Sequence, residues 1–448
     1  MTQTIINRQI LVFTSVWFGQ LVSLIGSGLS SFALGLWVLQ RTGSVTQFGL
    51  ISLFATLPGI VLSPIAGALV DRWDRRLAML LSDTGAGLSI LIIGLLFLVD
   101  KLEIWHIYLA TATSSAFNAF QWPAYKAATT LLVPKKHLGR ASGIVQVAFA
   151  ASELISPPLA ALLLANIQLQ GIISIDVVTF IFSIITLLSV RFPNPKIINQ
   201  AKAGRSSLLQ EAAYGWNYIV ARPGLLALLV FYAVINFFTG IVSVLVQPLV
   251  LAFAPVTVVG MVLAVGASGM LSGSLVMSIW GGTRRFVYSL FSFTLSGGLS
   301  IAFAGLRPSI PVFFVTAFLY FFGLAIINAS SQVLWQKKVK PEIQGRVFAV
   351  QRMIAWGTLP LAYVLAGPLA DRVFTPLLVV NGPLAGSVGR IIGVGPGYGI
   401  ALLFVVMGML TALTAILGYC YPRLRFVEEE LPDAIADPLP ATVEDKGV

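Results

Sequence analysis

Glu153 is the residue of this 448-residue chain best placed to do chemistry. It stands near the middle of an apolar stretch, 141–190, whose only other charge is Asp176. An ionised carboxylate inside hydrocarbon costs ~2.5–3.5 kcal/mol on insertion scales, so Glu153 is expected to face a cavity or a partner. Two chemistries stay open: proton coupling or recognition of a cationic substrate, and a carboxyl hydrogen-bonded between helices to lock a bundle. Asp83 and Asp176 lie nearer the ends of their stretches, where a solvated or packing role is expected. Arg352 enters its stretch from one end and is expected to snorkel. Gln20, Trp37, Asn118, Gln121, Asn236, Gln247, Asn328, Gln332 and Trp356 are further polar or aromatic groups in apolar surroundings. Singly, each serves as well for an interhelical hydrogen bond as for a ligand contact; together they suit a roomy amphiphilic pocket.

A second cluster is Gly67-Ala68-Leu69-Val70-Asp71-Arg72-Trp73-Asp74-Arg75-Arg76. Glycine lets two helices approach closely, and Asp71 can accept from arginines or from a helix N-terminus. Gly67, Asp71, Arg72, Arg75 and Arg76 are therefore the expected parts of a gate latch. Other chemistry is missing. The chain has no Gly-x-x-x-x-Gly-Lys-Ser/Thr phosphate loop and no His-Glu-x-x-His, and the glycines at 393–399 lack a lysine and a preceding strand. His106 and His137 have no paired-ligand spacing, and the single cysteine, Cys420, excludes an internal disulfide or a cysteine metal cluster. No enzyme, metal or cofactor is expected, and ion gradients remain as the energy source.

These residues must be held by membrane helices. Hydrophobic residues make up 57% of the chain and charged residues 10%, where a soluble domain needs about a quarter charged. A span takes ~20 apolar residues, because no backbone polar group can go unpaired in lipid. Apolar runs at 9–40, 42–70, 77–99, 104–125, 141–190, 223–283, 286–306, 308–336, 347–370 and 391–422 follow one another. Two are long enough for two spans each, broken at 166–171 and 253–257, so the expected fold is all-α with twelve transmembrane helices in two pseudo-symmetric six-helix bundles. With the N-terminus inside, all of the 28 Lys and Arg except Arg41, Lys101, Arg307, Arg372 and Arg390 fall on inside segments. That bias places both termini in the cytoplasm and accounts for the net charge of +11 without a nucleic-acid partner. The first 30 residues do not read as a cleaved signal peptide.

The expected organisation is a first bundle at 1–190, a cytoplasmic linker at 191–222, a second bundle at 223–421 and a disordered acidic tail at 422–448. Within the linker, Leu208, Ala212, Trp216 and Ile219 recur at helical spacing, which predicts an interfacial helix with its apolar face in lipid. The halves repeat one plan. Asn118-Ala119 followed by Gly139-Arg140 answers Asn328-Ala329 followed by Gly345-Arg346, and a proline-bearing span comes next in each (Pro157-Pro158, Pro360). Two such units imply a two-fold pseudo-axis along the membrane normal and a cavity between them.

The 67–76 segment resembles the Gly-x-x-x-Asp-Arg-x-Gly-Arg-Arg loop of the major facilitator superfamily, with Asp74 in place of the second glycine. Asp-Arg-Trp-Asp-Arg-Arg and the Gly367-Pro368-Leu369-Ala370-Asp371-Arg372 end of the eleventh span resemble its macrolide-efflux branch. The fifth-helix antiporter motif of that superfamily is Gly-x-x-x-Gly-Pro-x-x-Gly-Gly; here Ser152, Ser156, Pro157 and Ala160 keep the proline and small size but none of the glycines. The helix-four arginine of many drug antiporters is absent between Leu109 and Gln121. The resemblance implies a monomeric, multi-pass transporter of the bacterial inner membrane, exporting an amphiphilic small molecule (a drug, macrolide or secreted metabolite such as a siderophore) in exchange for protons. An importer or lipid transporter of the same fold, or a scaffold without a transport cycle, stays open as the alternative.

Overall fold

The computed structural model describes residues 2–70, 74–133, 138–190, 208–283, 285–340 and 343–430. The helices are α1 (Thr2–Thr42), α2 (Val45–Val70), α3 (Arg75–Leu98), α4 (Ile104–Leu132), α5 (Leu138–Ser189), α6 (Leu208–Val220), α7 (Pro223–Phe253), α8 (Val256–Trp280), α9 (Phe286–Leu306), α10 (Ile310–Lys338) and α11 (Gln344–Pro368). A π-helical turn, Leu369–Phe374, and α12 (Thr375–Leu377) extend α11; α13 (Gly389–Ile392), α14 (Tyr398–Cys420), α15 (Pro422–Arg425) and α16 (Val427–Glu430) follow.

Among the described residues, ten segments are long and apolar enough to cross a membrane. One of them, Val147–Ser189, is 43 residues long and reverses at Gln168 (φ 56°, ψ −173°), so α5 is two rods meeting at the expected 166–171 break. With α4, 29 residues long, the spans number twelve. Both ends of the described chain therefore emerge on one face of the bundle, here termed the terminal face. The helices begin and end where local chemistry says: Asp74 accepts the Leu77 amide at the start of α3, and the left-handed Gly281 (φ 73°) ends α8.

α1–α5 pack as one bundle and α7–α14 as another. The two meet chiefly where α2 runs beside α11 and α5 beside α8. On the far face the buried apolar core is continuous across both bundles, joining Leu36, Phe48 and Ile172 to Leu245, Val259 and Leu403. On the terminal face it splits. Val16, Met79, Leu132 and Leu187 form one cluster, and Leu228, Leu334, Trp335 and Val347 form another. Two bundles sharing a core at one end only make a wedge that gapes toward the terminal face.

Two expectations about the periphery change. The linker helix forms, but its apolar face does not lie wholly in lipid. Ile219 is fully buried in the second bundle, and Gly215 lets α6 sit against the Arg346 backbone of α11, leaving Trp216 exposed. The tail is not irregular from 422. Leu424 and Val427 are buried, the Val287 amide at the start of α9 donates to Glu428 at 2.9 Å, and Lys338 Nζ donates to the Glu428 carbonyl at 2.6 Å. Two apolar anchors and a carboxylate on a helix N-terminus outweigh the acidic composition as far as Glu430. Residues 431–448 lie outside the described residues.

Candidate functional site

The wedge has a lining that helix geometry identifies. Residues nine apart on an α-helix stand about two and a half turns apart, on opposite faces. On α4 the outward-pointing Leu109 and the exposed Asn118 are so related, and on α10 Leu319 and Asn328 repeat the pair in the second half. Asn118 and Asn328 thus stand on the helix faces opposite the exposed apolar Leu109 and Leu319, with the exposed Gln332 one turn beyond Asn328. Glu153 obeys the same rule. It is exposed, yet stands half a turn round α5 from Ile144, Ile155 and Leu162, all exposed and apolar. Among the described residues no hydrogen bond ties it to a neighbouring helix. On α11, Trp356, Tyr363 and Gly367 lie on one stripe. The Tyr363 carbonyl and Gly367 touch α2 at Gly49 and Thr46, and Trp356 continues that stripe to where the bundles part. Arg352 is exposed one turn nearer the mouth.

Other sequence candidates sit elsewhere. Gln20 and Gln121 both reach the buried Asp83 inside the first bundle. Asp83 itself is 9% exposed, so of the solvated and packing roles expected for it the packing one fits; α1, α4 and the second rod of α5 close over it. Asp176 is likewise buried, accepting from Ser27 Oγ at 3.3 Å. Trp37 packs edge-on against Phe97 with Arg41 over its ring, at the far end of α1. Asn236 donates to the Ala355 carbonyl at 2.8 Å, tying α7 to α11, and the Gln247 side-chain carbonyl is buried without a partner.

The small residues of the fifth helix hold α5 against both neighbours. Ser152 and Ser156 donate to the Leu24 and Ile25 carbonyls of α1, at 3.0 and 3.2 Å, opposite Gly28. Gly260 of α8 approaches so closely that an added Cβ would stand 2.7 Å from the Pro157 carbonyl oxygen and 3.0 Å from the Ala161 methyl; Ala160 is fully buried. Of the latch residues, Asp71 and Arg72 lie outside the described residues, as does the Gly67 side-chain environment. Arg76 caps its own bundle, donating from Nε to the Leu187 carbonyl (2.9 Å) and from Nη2 to that of Leu188 (2.7 Å), the last turn of α5. Arg75 has its Nε buried without a partner.

A latch that sequence reasoning missed closes the far face. Asp371, in the π-helical turn after α11, accepts from Ser44 Oγ (3.0 Å), the Val45 amide (3.2 Å), the Thr46 amide (2.9 Å) and Thr46 Oγ1 (2.7 Å). A carboxylate of the second bundle thus neutralises the free N–H groups and positive dipole end of α2 in the first. The signal was present: Gly367-Pro-Leu-Ala-Asp371-Arg372 matches Gly67-Ala-Leu-Val-Asp71-Arg72 at every non-variable place of Gly-x-Leu-x-Asp-Arg.

The family model for the Major Facilitator Superfamily matches residues 16–362. Macrolide efflux protein A of Streptococcus pyogenes is 30% identical over 371 residues, covering 82% of this chain and 91% of that protein. Multidrug efflux pump Tap of Mycolicibacterium fortuitum is 24% identical over 371 residues, covering 80% and 88%. Among solved structures, a bacterial homologue of the lysosomal transporter Spinster, inward-facing and unoccupied, superposes with a TM-score of 0.69 at 14% identity, covering 95% of this chain and 98% of that one. The nucleoside transporter NupG gives 0.69 at 12% identity, covering 92% and 99%.

Proposed function

This chain belongs to the Major Facilitator Superfamily, and from that premise we propose that it exports amphiphilic small molecules, macrolides among them, in exchange for protons. It is a multi-pass membrane transporter rather than an enzyme. The observation that carries the reading is the wedge, whose core is shared on the far face and divided on the terminal face. Such a body offers its chamber to one side at a time, which is alternating access.

The positive-inside bias supports a cytoplasmic terminal face with both termini inside, and we read the chain as a monomer of the plasma membrane. The conformation described is then the loading state, closed outside by Asp371 and open inside. Asn118, Asn328, Gln332 and Trp356 offer the substrate two amide-bearing walls and an aromatic surface, and Glu153 offers a negative charge to a protonated amine. Macrolides, bulky and commonly cationic, suit a chamber of this lining. Competition between drug and proton for a carboxylate is one way such a chamber couples the two fluxes. By its sequence likeness to the Gly367-to-Arg372 segment, the Gly67-to-Arg72 segment is the candidate latch for the inner mouth in the opposite state.

The test is transport by purified protein in proteoliposomes, with erythromycin as probe and a panel of amphiphiles beside it. A proton gradient should drive erythromycin movement opposite to the protons. Absence of flux for every compound would support a scaffold, and movement in the proton direction would support an importer.

A further inference from the structure

The first bundle contains a buried carboxylate that the chamber does not use. Asp83 on α3 is enclosed by side chains from three other spans. Gln20 Nε2 of α1 donates to its Oδ2 at 2.8 Å, Ser183 Oγ of the second rod of α5 donates to Oδ2 at 3.0 Å, and Gln121 Nε2 of α4 donates to Oδ1 at 2.8 Å. Gln121 Nε2 also donates to Gln20 Oε1 at 2.8 Å, so the acid and both amides form a closed ring. No cation joins it among the described side chains. α1 presents Gln20, and α4 presents Gln121 with the Tyr125 hydroxyl one turn on. The second rod of α5 presents Ser183, with Asp176 two turns away on the same face. On α3 itself the nearest charge is Arg76, two turns back and committed to the Leu187 and Leu188 carbonyls.

We infer that Asp83 is a proton-binding site of the transport cycle, and that Gln121 converts its protonation into a change at the α1–α4 contact. The inference rests on the proton-coupled reading above and supplies a residue for it. A bundle lock alone does not call for an acid, because an asparagine would bridge the same helices without the cost of a charge in hydrocarbon. The cage, moreover, is incomplete around an ionised Asp83: Gln121 Oε1 is buried with no partner. A buried acceptor left unmade is a liability, and this one belongs to a group whose amide can turn over in place. When a proton occupies Asp83 Oδ1, turning that amide brings Oε1 to accept it and carries Nε2 to the place Oε1 leaves. The bond from Gln121 to Gln20 cannot survive the turn, because two carbonyl oxygens would then face each other at the 2.8 Å now bridged by an N–H. Proton uptake therefore releases α4 from α1, and deprotonation restores the link. Gln121 is the only half-exposed member of the ring; Gln20, Asp83 and Ser183 are buried.

Infrared difference spectroscopy between acid and alkaline buffer, on purified protein in lipid, reads the C=O stretch of a protonated carboxyl directly. A titrating band is expected in the wild type, absent in Asp83→Asn and shifted in frequency in Gln121→Leu. A band that is unchanged in Asp83→Asn overturns the assignment. Should Asp83→Asn fail to fold, Gln121→Leu decides alone: an unshifted band overturns it. In proteoliposomes, Asp83→Asn should lose proton-driven accumulation of erythromycin while gradient-free counterflow persists; equal loss of both marks Asp83 as structural only and overturns the proposal. A wild type that shows the Asp83 band but no response to a proton gradient sinks the antiport reading instead and leaves the binding site standing.

Discussion

Asp371 Oδ2 accepts both the amide and the hydroxyl of Thr46, at 2.9 and 2.7 Å, so one carboxylate of the second bundle holds the first turn of a helix in the first. Beside it, Gly367 is pressed against the Thr46 backbone, where no side chain could stand. Charge-assisted bonds to a helix N-terminus, made across the line along which the bundles must part, bias the equilibrium between the two states of a transporter directly.

Asp371→Asn should keep the fold and weaken the far-face closure by about 1–2 kcal/mol, a shift of roughly tenfold toward the opposite state. Val244, buried beside Gly49 in the shared core, reports it as an introduced cysteine after Cys420→Ser. Labelling of that cysteine by a membrane-impermeant maleimide from outside should speed up; an unchanged rate would mean that Asp371 does not hold the closed state.

Glu153→Gln should insert and fold as the wild type does, because the side chain contributes no hydrogen bond between helices. It should abolish transport of cationic substrates or flatten the pH profile of transport. Wild-type flux with an unaltered profile would remove Glu153 from the mechanism.

Two glycines of α8 should separate closure from folding. At Gly260 an added Cβ meets the Pro157 backbone of the other bundle, so Gly260→Val should hold the far face open and stop transport while the protein stays folded. At Gly273 it meets the Phe322 carbonyl within the same bundle, so Gly273→Val should cost stability, by about 1–3 kcal/mol as overpacking does. Thermal unfolding of both variants beside their transport rates checks the contrast; equal loss of melting temperature would refute it.

Removing 431–448, which lie outside the described residues, gives the reference for the comparison. Removing 422–448 should lower stability, because it uncovers the site of Leu424 and Val427 and strips Glu428 from the Val287 amide. Scanning calorimetry of the two truncations gives the comparison, and an identical melting temperature for both would show that the ordered turn contributes nothing.

Much of the architecture was legible from residue order. The twelve spans, the reversal at 166–171, the break at 253–257 and the presence of a helix in the linker all followed from hydropathy, turn residues and repeat. The latch at Asp371 was half legible: its motif was in view as a likeness to relatives, but its partners Ser44 and Thr46 lie more than 320 positions away. The company kept by Asp83 was not legible at all.

The division has one physical cause. Transfer of a segment into hydrocarbon depends on that segment's own side chains and on the backbone pairing of its own helix, so each span is specified locally and composition alone determined how many there are. Which polar groups meet depends on the rotation and axial offset of one helix against another. Those are settled by the packing of small residues such as Gly26 against Thr179 and Gly28 against Ser156, which no single segment contains. Only the tertiary structure could put Gln20, Gln121 and Ser183 around one carboxylate, or set the first turn of α2 against Asp371.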